Sequence, residues 1–360
     1  MPDRLSEAAA SRRTFLQTGG AALLCTIGGK QLALTKPGDA RKADAAAAAV
    51  KRPAAAIPGK EAVDALTFTT PEPQPGGRAV EYWLEVRAVR WTIVPTRKDD
   101  WHGIPIPGSS TFTALVYQLM TPGFASAAGP PSVPGPVLSA TVGDTLVVHV
   151  RNALPDRLRQ AITFHPHAVK YNPEYDGVYL GDYTRAGGFI APGEEFTYTY
   201  ECVPEAVGLW AYHDHGPNHT LNTARGLFGA VLIRERDAKI PDVEAVLCFH
   251  SWTPPVTGLQ RAYQCVNGHA FAGNTPTVRA KVGQDLAIHI VGVDDNFHDF
   301  HLHGHRWLDA TGHHTDNPSV GPGQSILARF TADNPGRWLY HCHVLAHQDG
   351  GMAGWMLIDP

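Results

Sequence analysis

Cysteine is scarce in this sequence, with five residues, and that excludes a fold stapled by disulfides. Charge is scarce too. Asp, Glu, Lys and Arg make up 18% of the chain and leave a net charge of −4, so neither a nucleic acid nor an anionic membrane surface is favoured as partner. After the N-terminal region no apolar run is long enough to cross a bilayer. Methionine is limited to Met1, Met120, Met352 and Met356, which argues against a methionine-lined cuprous site. What is plentiful points elsewhere. Gly (36) and Pro (29) mark frequent turns, and histidine stands out at 19 residues. The length, 360 residues, suits two domains.

The chain opens on a region, residues 1–35, that carries Ser11-Arg12-Arg13-Thr14-Phe15-Leu16 and then a modest apolar run. This resembles a twin-arginine export signal, a receptor-read address and not part of the fold. The expectation is a periplasmic or secreted protein. Residues 36–63, rich in Ala and Pro, read as a linker.

The body is one unit written twice. Pro136, Ala140, Val142, Gly143, Leu146 and His149 recur as Pro276, Ala280, Val282, Gly283, Leu286 and His289, at a constant offset of 140. His165-Pro-His167 recurs as His301-Leu-His303. Gly208-Leu-Trp210-Ala-Tyr212-His213-Asp214-His215 recurs as Gly336-Arg-Trp338-Leu-Tyr340-His341-Cys342-His343. Gly226 and Gly229 recur as Gly351 and Gly354. Within each copy, short alternating runs such as 145–150 and 195–200 lie between Gly and Pro turns. The fold class expected is all-β, two tandem sandwiches or barrels over 64–236 and 237–360. Residues 95–112 and 119–136 read as loop-rich insertions in the first copy.

The chemistry concentrates in His341-Cys342-His343, His347 and Met352. On an extended strand, neighbouring side chains face opposite ways. Cys342 therefore points away from His341 and His343, and one strand can serve two metal centres. A thiolate, two imidazoles and a weak thioether make a blue-copper electron-transfer site. The four His-x-His pairs, His165/His167, His213/His215, His301/His303 and His341/His343, each place two imidazoles on one face.

The C-terminal run resembles the copper motif of multicopper oxidases of the laccase kind. The whole arrangement is most similar to two-domain bacterial laccases, over roughly 135–235 and 265–360, and the likeness fades over 64–130. That resemblance implies two tandem cupredoxin domains and about four coppers per subunit. His298, Cys342 and His347 would hold type 1 copper with Met352 axial. His165 and His301 would hold type 2 copper. His167, His213, His215, His303, His341 and His343 would hold the binuclear type 3 pair. Only the second copy can carry type 1 copper, because Ile162, Asp214 and Leu227 stand opposite His298, Cys342 and Met352; His219 alone matches His347, as a leftover or surface histidine.

The resemblance also implies a homotrimer, with the cluster between the first domain of one subunit and the second of a neighbour. A small aromatic or metal-ion donor would give electrons singly at the edge of His298 or His347, and dioxygen would be reduced to water. Reduction consumes protons. Asp176 and Asp316 match acidic positions of the family, though each reads equally as a turn aspartate. Tyr171 matches a tyrosine beside the cluster, a redox reserve or a packing residue. Cys202, Cys248 and Cys265 leave open a Cys248–Cys265 disulfide or three buried thiols. Besides a laccase-like oxidase, the sequence allows an Fe(II) or Cu(I) metallo-oxidase. A copper nitrite reductase and a non-enzymatic copper carrier fit it less well.

Overall fold

The computed structural model describes residues 68–360 other than 159, together with two short paired strands, Leu23–Ile27 and Lys30–Leu34. The twin-arginine motif and the 36–63 linker lie outside the described residues.

The chain is mostly strand. In the first copy the strands are β1 (Ala79–Thr92), β2 (Thr111–Met120), β3 (Leu138–Thr141), β4 (Thr145–Asn152), β5 (His165–Pro166), β6 (Glu195–Glu201), β7 (Gly208–His213) and β8 (Phe228–Arg234), with the short helix α1 (His219–Ala224) before β8. In the second copy they are β9 (Val243–Trp252), β10 (Tyr263–Val266), β11 (Val278–Lys281), β12 (Asp285–Gly292), β13 (His298–Leu302), β14 (Ser319–Val320), β15 (Ser325–Thr331), β16 (Gly336–Cys342) and β17 (Ala353–Asp359), with α2 (Leu345–Asp349) before β17. Each copy folds into two sheets. The orders β6-β4-β1-β2 and β3-β8-β7-β5 are repeated by β15-β12-β9-β10 and β11-β17-β16-β13-β14.

The repeated motifs have a physical reason. Tyr212 and Tyr340 are fully buried, and their hydroxyls donate to the carbonyls of Pro136 (2.8 Å) and Pro276 (2.6 Å). Gly229 and Gly354 face those rings across β7–β8 and β16–β17, where any Cβ would overlap the tyrosine. Trp210 and Trp338 donate to the carbonyls of Ala206 and Asn334, each at 2.9 Å. Gly143 and Gly283 turn the chain into β4 and β12 at φ +91° and +90°, a region that suits glycine.

Three apolar cores result. One fills the first sandwich around Leu84, Tyr117, Val148 and Phe164, and one fills the second around Phe249, Ile288, Phe300 and Met356. The third joins the two, with Ile93, Phe112 and Phe228 packed against Trp252, Tyr263 and Val291. Cys248 and Cys265 lie in it as free buried thiols, as Cys202 does in the first sandwich. The expected alternative of a Cys248–Cys265 disulfide is therefore not realised. Cys265 pairs with His250 in the β9–β10 ladder, so Cys248 is its diagonal neighbour, about 7–8 Å away in such ladders and beyond disulfide reach.

The 95–112 stretch is less loop-like than expected. It carries a small hairpin, Lys98–Asp99 with Ile104–Pro105, before β2 begins. Asp100 N–H donates to Ala272 O (2.9 Å) and Thr96 bonds Asn274, so this first-copy hairpin is fastened to the second copy.

Candidate metal centres

His298 opens β13, Cys342 closes β16, His347 sits in α2, and Met352 directly precedes β17. These separate elements bring Cys342 Sγ to 3.6 Å from His347 Nδ1 and 3.9 Å from His298 Nδ1. Metal–ligand bonds of about 2.0–2.3 Å in a trigonal plane put donors about 3.5–4 Å apart, so the trio already stands at coordination distance. Met352 is buried in the same core as Cys342, and its carbonyl accepts Cys342 N–H at 3.0 Å. Burial opposes ionisation of Cys342, but hydrogen bonds from His298 and His347 outweigh it and hold the thiol down at about 6. The thiolate is thus ready at neutral pH.

His298 is oriented from behind by a residue with no signal in the sequence. Its Nε2 lies 2.9 Å from Asp294 Oδ1, and Asp294 also accepts from Ser251 Oγ and the Asn296 backbone. His298, Cys342 and Met352 are fully buried, whereas His347 is half-buried. Asp294 lines a cleft of about 390 Å³ between the copies, with His219, Phe228, His250, Ser251 and Val256.

The paired imidazoles gather in two sets. In the first copy, donor nitrogens of His165, His167 and His213 lie within 4.8 Å of one another, and His215 packs its ring 5.3 Å from that of His165. In the second, His301, His303 and His341 do the same, with His343 5.7 Å from His301. Strand pairing sets this up: β5 places His165 opposite His213, and β13 places His301 opposite His341. Among the described residues no imidazole of one set is in ring contact with the other set.

Backbone carbonyls orient these rings. Nδ1 of His165, His213, His301 and His341 lies 2.7, 2.9, 3.0 and 3.0 Å from the carbonyls of Asp176, Asp214, Asp316 and Cys342. A proton on Nδ1 leaves a bare Nε2 lone pair. Nε2 of His213 lies 3.2 Å from Nε2 of His167, and Nε2 of His341 lies 3.2 Å from Nε2 of His303, close enough for each pair to share one cation. Burial also pushes His213 down to about 3 and His341 to about 4, with neighbouring imidazoles adding to it, and lowers His167 and His303. Neutral imidazoles are what metal coordination requires.

Asp176 and Asp316 both reach this region. Their carboxylates lie 3.3 Å from His165 Nδ1 and 3.8 Å from His301 Nδ1. The Tyr171 ring stands edge-on to His165 at 5.7 Å. Burial and the charge of Asp176, which it hydrogen-bonds, raise its pKa. Sequence reasoning missed Trp101. It sits at the tip of the first-copy hairpin and stacks 6.1 Å from His341, with His102 tilted against it at 4.3 Å. Asp99 fixes the tip by accepting from Trp101 N–H (2.9 Å) and bonding His102 Nδ1 (2.6 Å).

The multicopper oxidase family profile matches residues 249–360, and a second multicopper oxidase profile matches residues 130–238. The chain belongs to the multicopper oxidase family. It is 29% identical over 248 residues to a probable nitrite reductase–hydroxylamine oxidoreductase fusion protein of Kuenenia stuttgartiensis, covering 64% of this chain and 28% of that protein. It is 26% identical over 271 residues to a ferroxidase, HEPHL1, of Homo sapiens, covering 62% and 23%. Mouse ceruloplasmin is 26% identical over 269 residues, covering 62% and 24%. The chain thus spans about a quarter of the length of these relatives. Among solved structures, a multicopper oxidase superposes with a TM-score of 0.61 at 23% identity, covering 80% of this chain and 92% of that one. A copper nitrite reductase from Nitrosomonas europaea gives 0.61 at 18%, covering 78% and 94%. These likenesses show the fold, cupredoxin-like and all-β.

The donor sets fit copper: a low-pKa thiolate between two imidazoles at coordination spacing, and two groups of three imidazoles whose donor nitrogens lie within 4.8 Å of one another. Among the described residues no helix is long and apolar enough to cross a membrane.

Proposed function

We propose that this enzyme couples one-electron oxidation of phenols or aromatic amines to the four-electron reduction of dioxygen to water. One observation carries the reading. Eight imidazoles stand in two matched sets, and the thiolate of Cys342 is covalently continuous with two of them, His341 and His343. Copper, when bound, supplies single-electron acceptance from the donor and the reduction of dioxygen.

The chain's residues take the following parts. His298, Cys342, His347 and Met352 hold type 1 copper. His165 and His301 hold type 2 copper. His167, His213, His215, His303, His341 and His343 hold the type 3 pair, for about four coppers per chain. Among the described residues no ring of one set touches the other set within one chain, which supports a homotrimer with the cluster at the subunit interface. His347, only partly buried, offers its ring to the donor, while Asp294 fixes the fully buried His298. Asp176 and Asp316 deliver protons from beside His165 and His301, and Tyr171 stands as a reserve reductant next to Asp176. The Arg12-Arg13 motif supports export to the periplasm or the medium.

A second reading, a metallo-oxidase, is favoured by the relative named a ferroxidase. Oxygen uptake by the copper-loaded protein separates the two, measured with a dimethoxyphenol and then with Fe(II), against Cys342→Ser. Uptake with the phenol that vanishes in the variant is expected. Uptake with Fe(II) alone would replace the laccase reading with a ferroxidase, and no uptake with either would overturn both.

A further inference from the structure

Asp214 is a fully buried carboxylate that none of the roles above uses. It occupies the first copy's counterpart of Cys342, between His213 and His215, with Ile162 and Leu227 at the counterparts of His298 and Met352. An ionisable group in such a place costs stability unless hydrogen bonds compensate for its lost water, and a leucine would carry no such cost. Its bonds are therefore informative. Oδ1 accepts Thr163 N–H at 2.6 Å, from the segment that leads into β5 and His165. Oδ2 accepts Asn222 Nδ2–H at 3.0 Å, from α1, and the carboxylate also bonds the Gly216 backbone and the Thr163 hydroxyl.

The second copy shows what the carboxylate replaces. There, Cys342, His298 at the start of β13 and His347 in α2 converge from the corresponding segments onto one metal position. The backbone around the two centres is the same. Asp214 N–H donates to Leu227 O at 3.1 Å, as Cys342 N–H donates to Met352 O at 3.0 Å. His213 Nδ1 meets Asp214 O at 2.9 Å, as His341 Nδ1 meets Cys342 O at 3.0 Å. Thr163 ties the hub to the next ligand as well, its Oγ1 accepting His215 N–H at 2.8 Å, and its own carbonyl takes the Tyr117 hydroxyl at 2.6 Å.

We propose that Asp214 does in the first domain, by hydrogen bonds, what the metal does in the second: it cross-links three segments and so positions His213 and His215. It is a positioning residue for the cluster, reached through Thr163 and Asn222, and not a ligand. The carboxylate's geometry matters here, and its charge does not. An amide in its place keeps one acceptor for Thr163 N–H. Its N–H can then meet Asn222 Oδ1, which has no other partner, once Asn222 turns its amide over.

The inference rests on the proposed assignment of His213 and His215 to the cluster, and the test separates the two. Copper per chain, the blue thiolate absorption, the type 2 paramagnetic signal and the type 3 near-ultraviolet band are recorded for the parent, Asp214→Ala and Asp214→Asn. The blue absorption belongs to the other domain and reports that the second domain has folded. Asp214→Ala is expected to keep it and to bind cluster copper about 10–100-fold more weakly, as when an outer-shell partner is lost. Asp214→Asn is expected to keep both. Undiminished cluster signals in Asp214→Ala would overturn the proposal. So would equal loss in Asp214→Asn, which would assign the effect to charge. If Asp214→Ala yields no folded protein, Asn222→Ala, which removes one arm of the hub, takes its place: weakened cluster signals with intact blue absorption support the proposal, and unchanged ones overturn it. A parent without type 2 and type 3 signals would instead sink the cluster assignment.

Discussion

At the scale of single residues, the proposed blue centre is defined by competition between burial and pairing. His298 is buried, which alone would keep it neutral, yet Asp294 and Cys342 hold its pKa up at about 9. Without metal, His298 and Cys342 thus form a charged pair at neutral pH. Protons and copper compete for these atoms, so affinity rises with pH. We expect the affinity of the metal-free protein for copper at this centre to fall about tenfold per unit as pH drops below about 9, where His298 takes a proton. The fall should steepen below about 6, where Cys342 takes another. A competitive chelator titration followed by the blue absorption checks this; a flat profile would contradict it. Asp294→Asn should weaken copper binding at the blue centre by about 10–100-fold and leave the type 3 band in place. Neither expectation was available from the sequence alone, because Asp294 lies in Asp294-Asp295-Asn296, which reads as an ordinary polar turn.

At the scale of elements, the legible part was whatever the duplication wrote twice. The alternation of β16 separated Cys342 from His341 and His343, and the matching glycines, tyrosines and tryptophans announced two copies of one sandwich. Their meaning is steric. A methyl group at Gly354 collides with the Tyr340 ring, so Gly354→Ala should destabilise the second domain by about 1–3 kcal/mol, read as a lower denaturation midpoint. A change in stability within error would show that the strands can shift to make room. What the sequence concealed was written once. The hairpin that lays Trp101 on His341 has no counterpart in the second copy, and its contacts with Ala272 and Asn274 join residues far apart in the chain. The Cys248–Cys265 pairing failed for a related reason: both thiols share a face of the β9–β10 pair, but a register of two residues keeps them apart.

At the scale of the whole molecule, the arrangement is one of incomplete halves. Each sandwich carries four of the eight paired imidazoles, and the interdomain core of Phe112, Phe228, Trp252 and Tyr263 fixes the domains in one chain without bringing the two sets into ring contact. We infer that a cluster drawing on both sets forms between chains. Complementation tests this most directly. One variant chain carries His213→Ala and the other His341→Ala, so neither alone holds a complete complement of eight. The two are unfolded together, refolded and loaded with copper, and the type 3 band and oxygen uptake are measured with a dimethoxyphenol. Clusters shared between subunits predict that both signals, absent from either variant alone, return in the mixture, because an intact first domain of one chain meets an intact second domain of the other. A mixture as silent as its parts would place the cluster within a single chain and contradict the account.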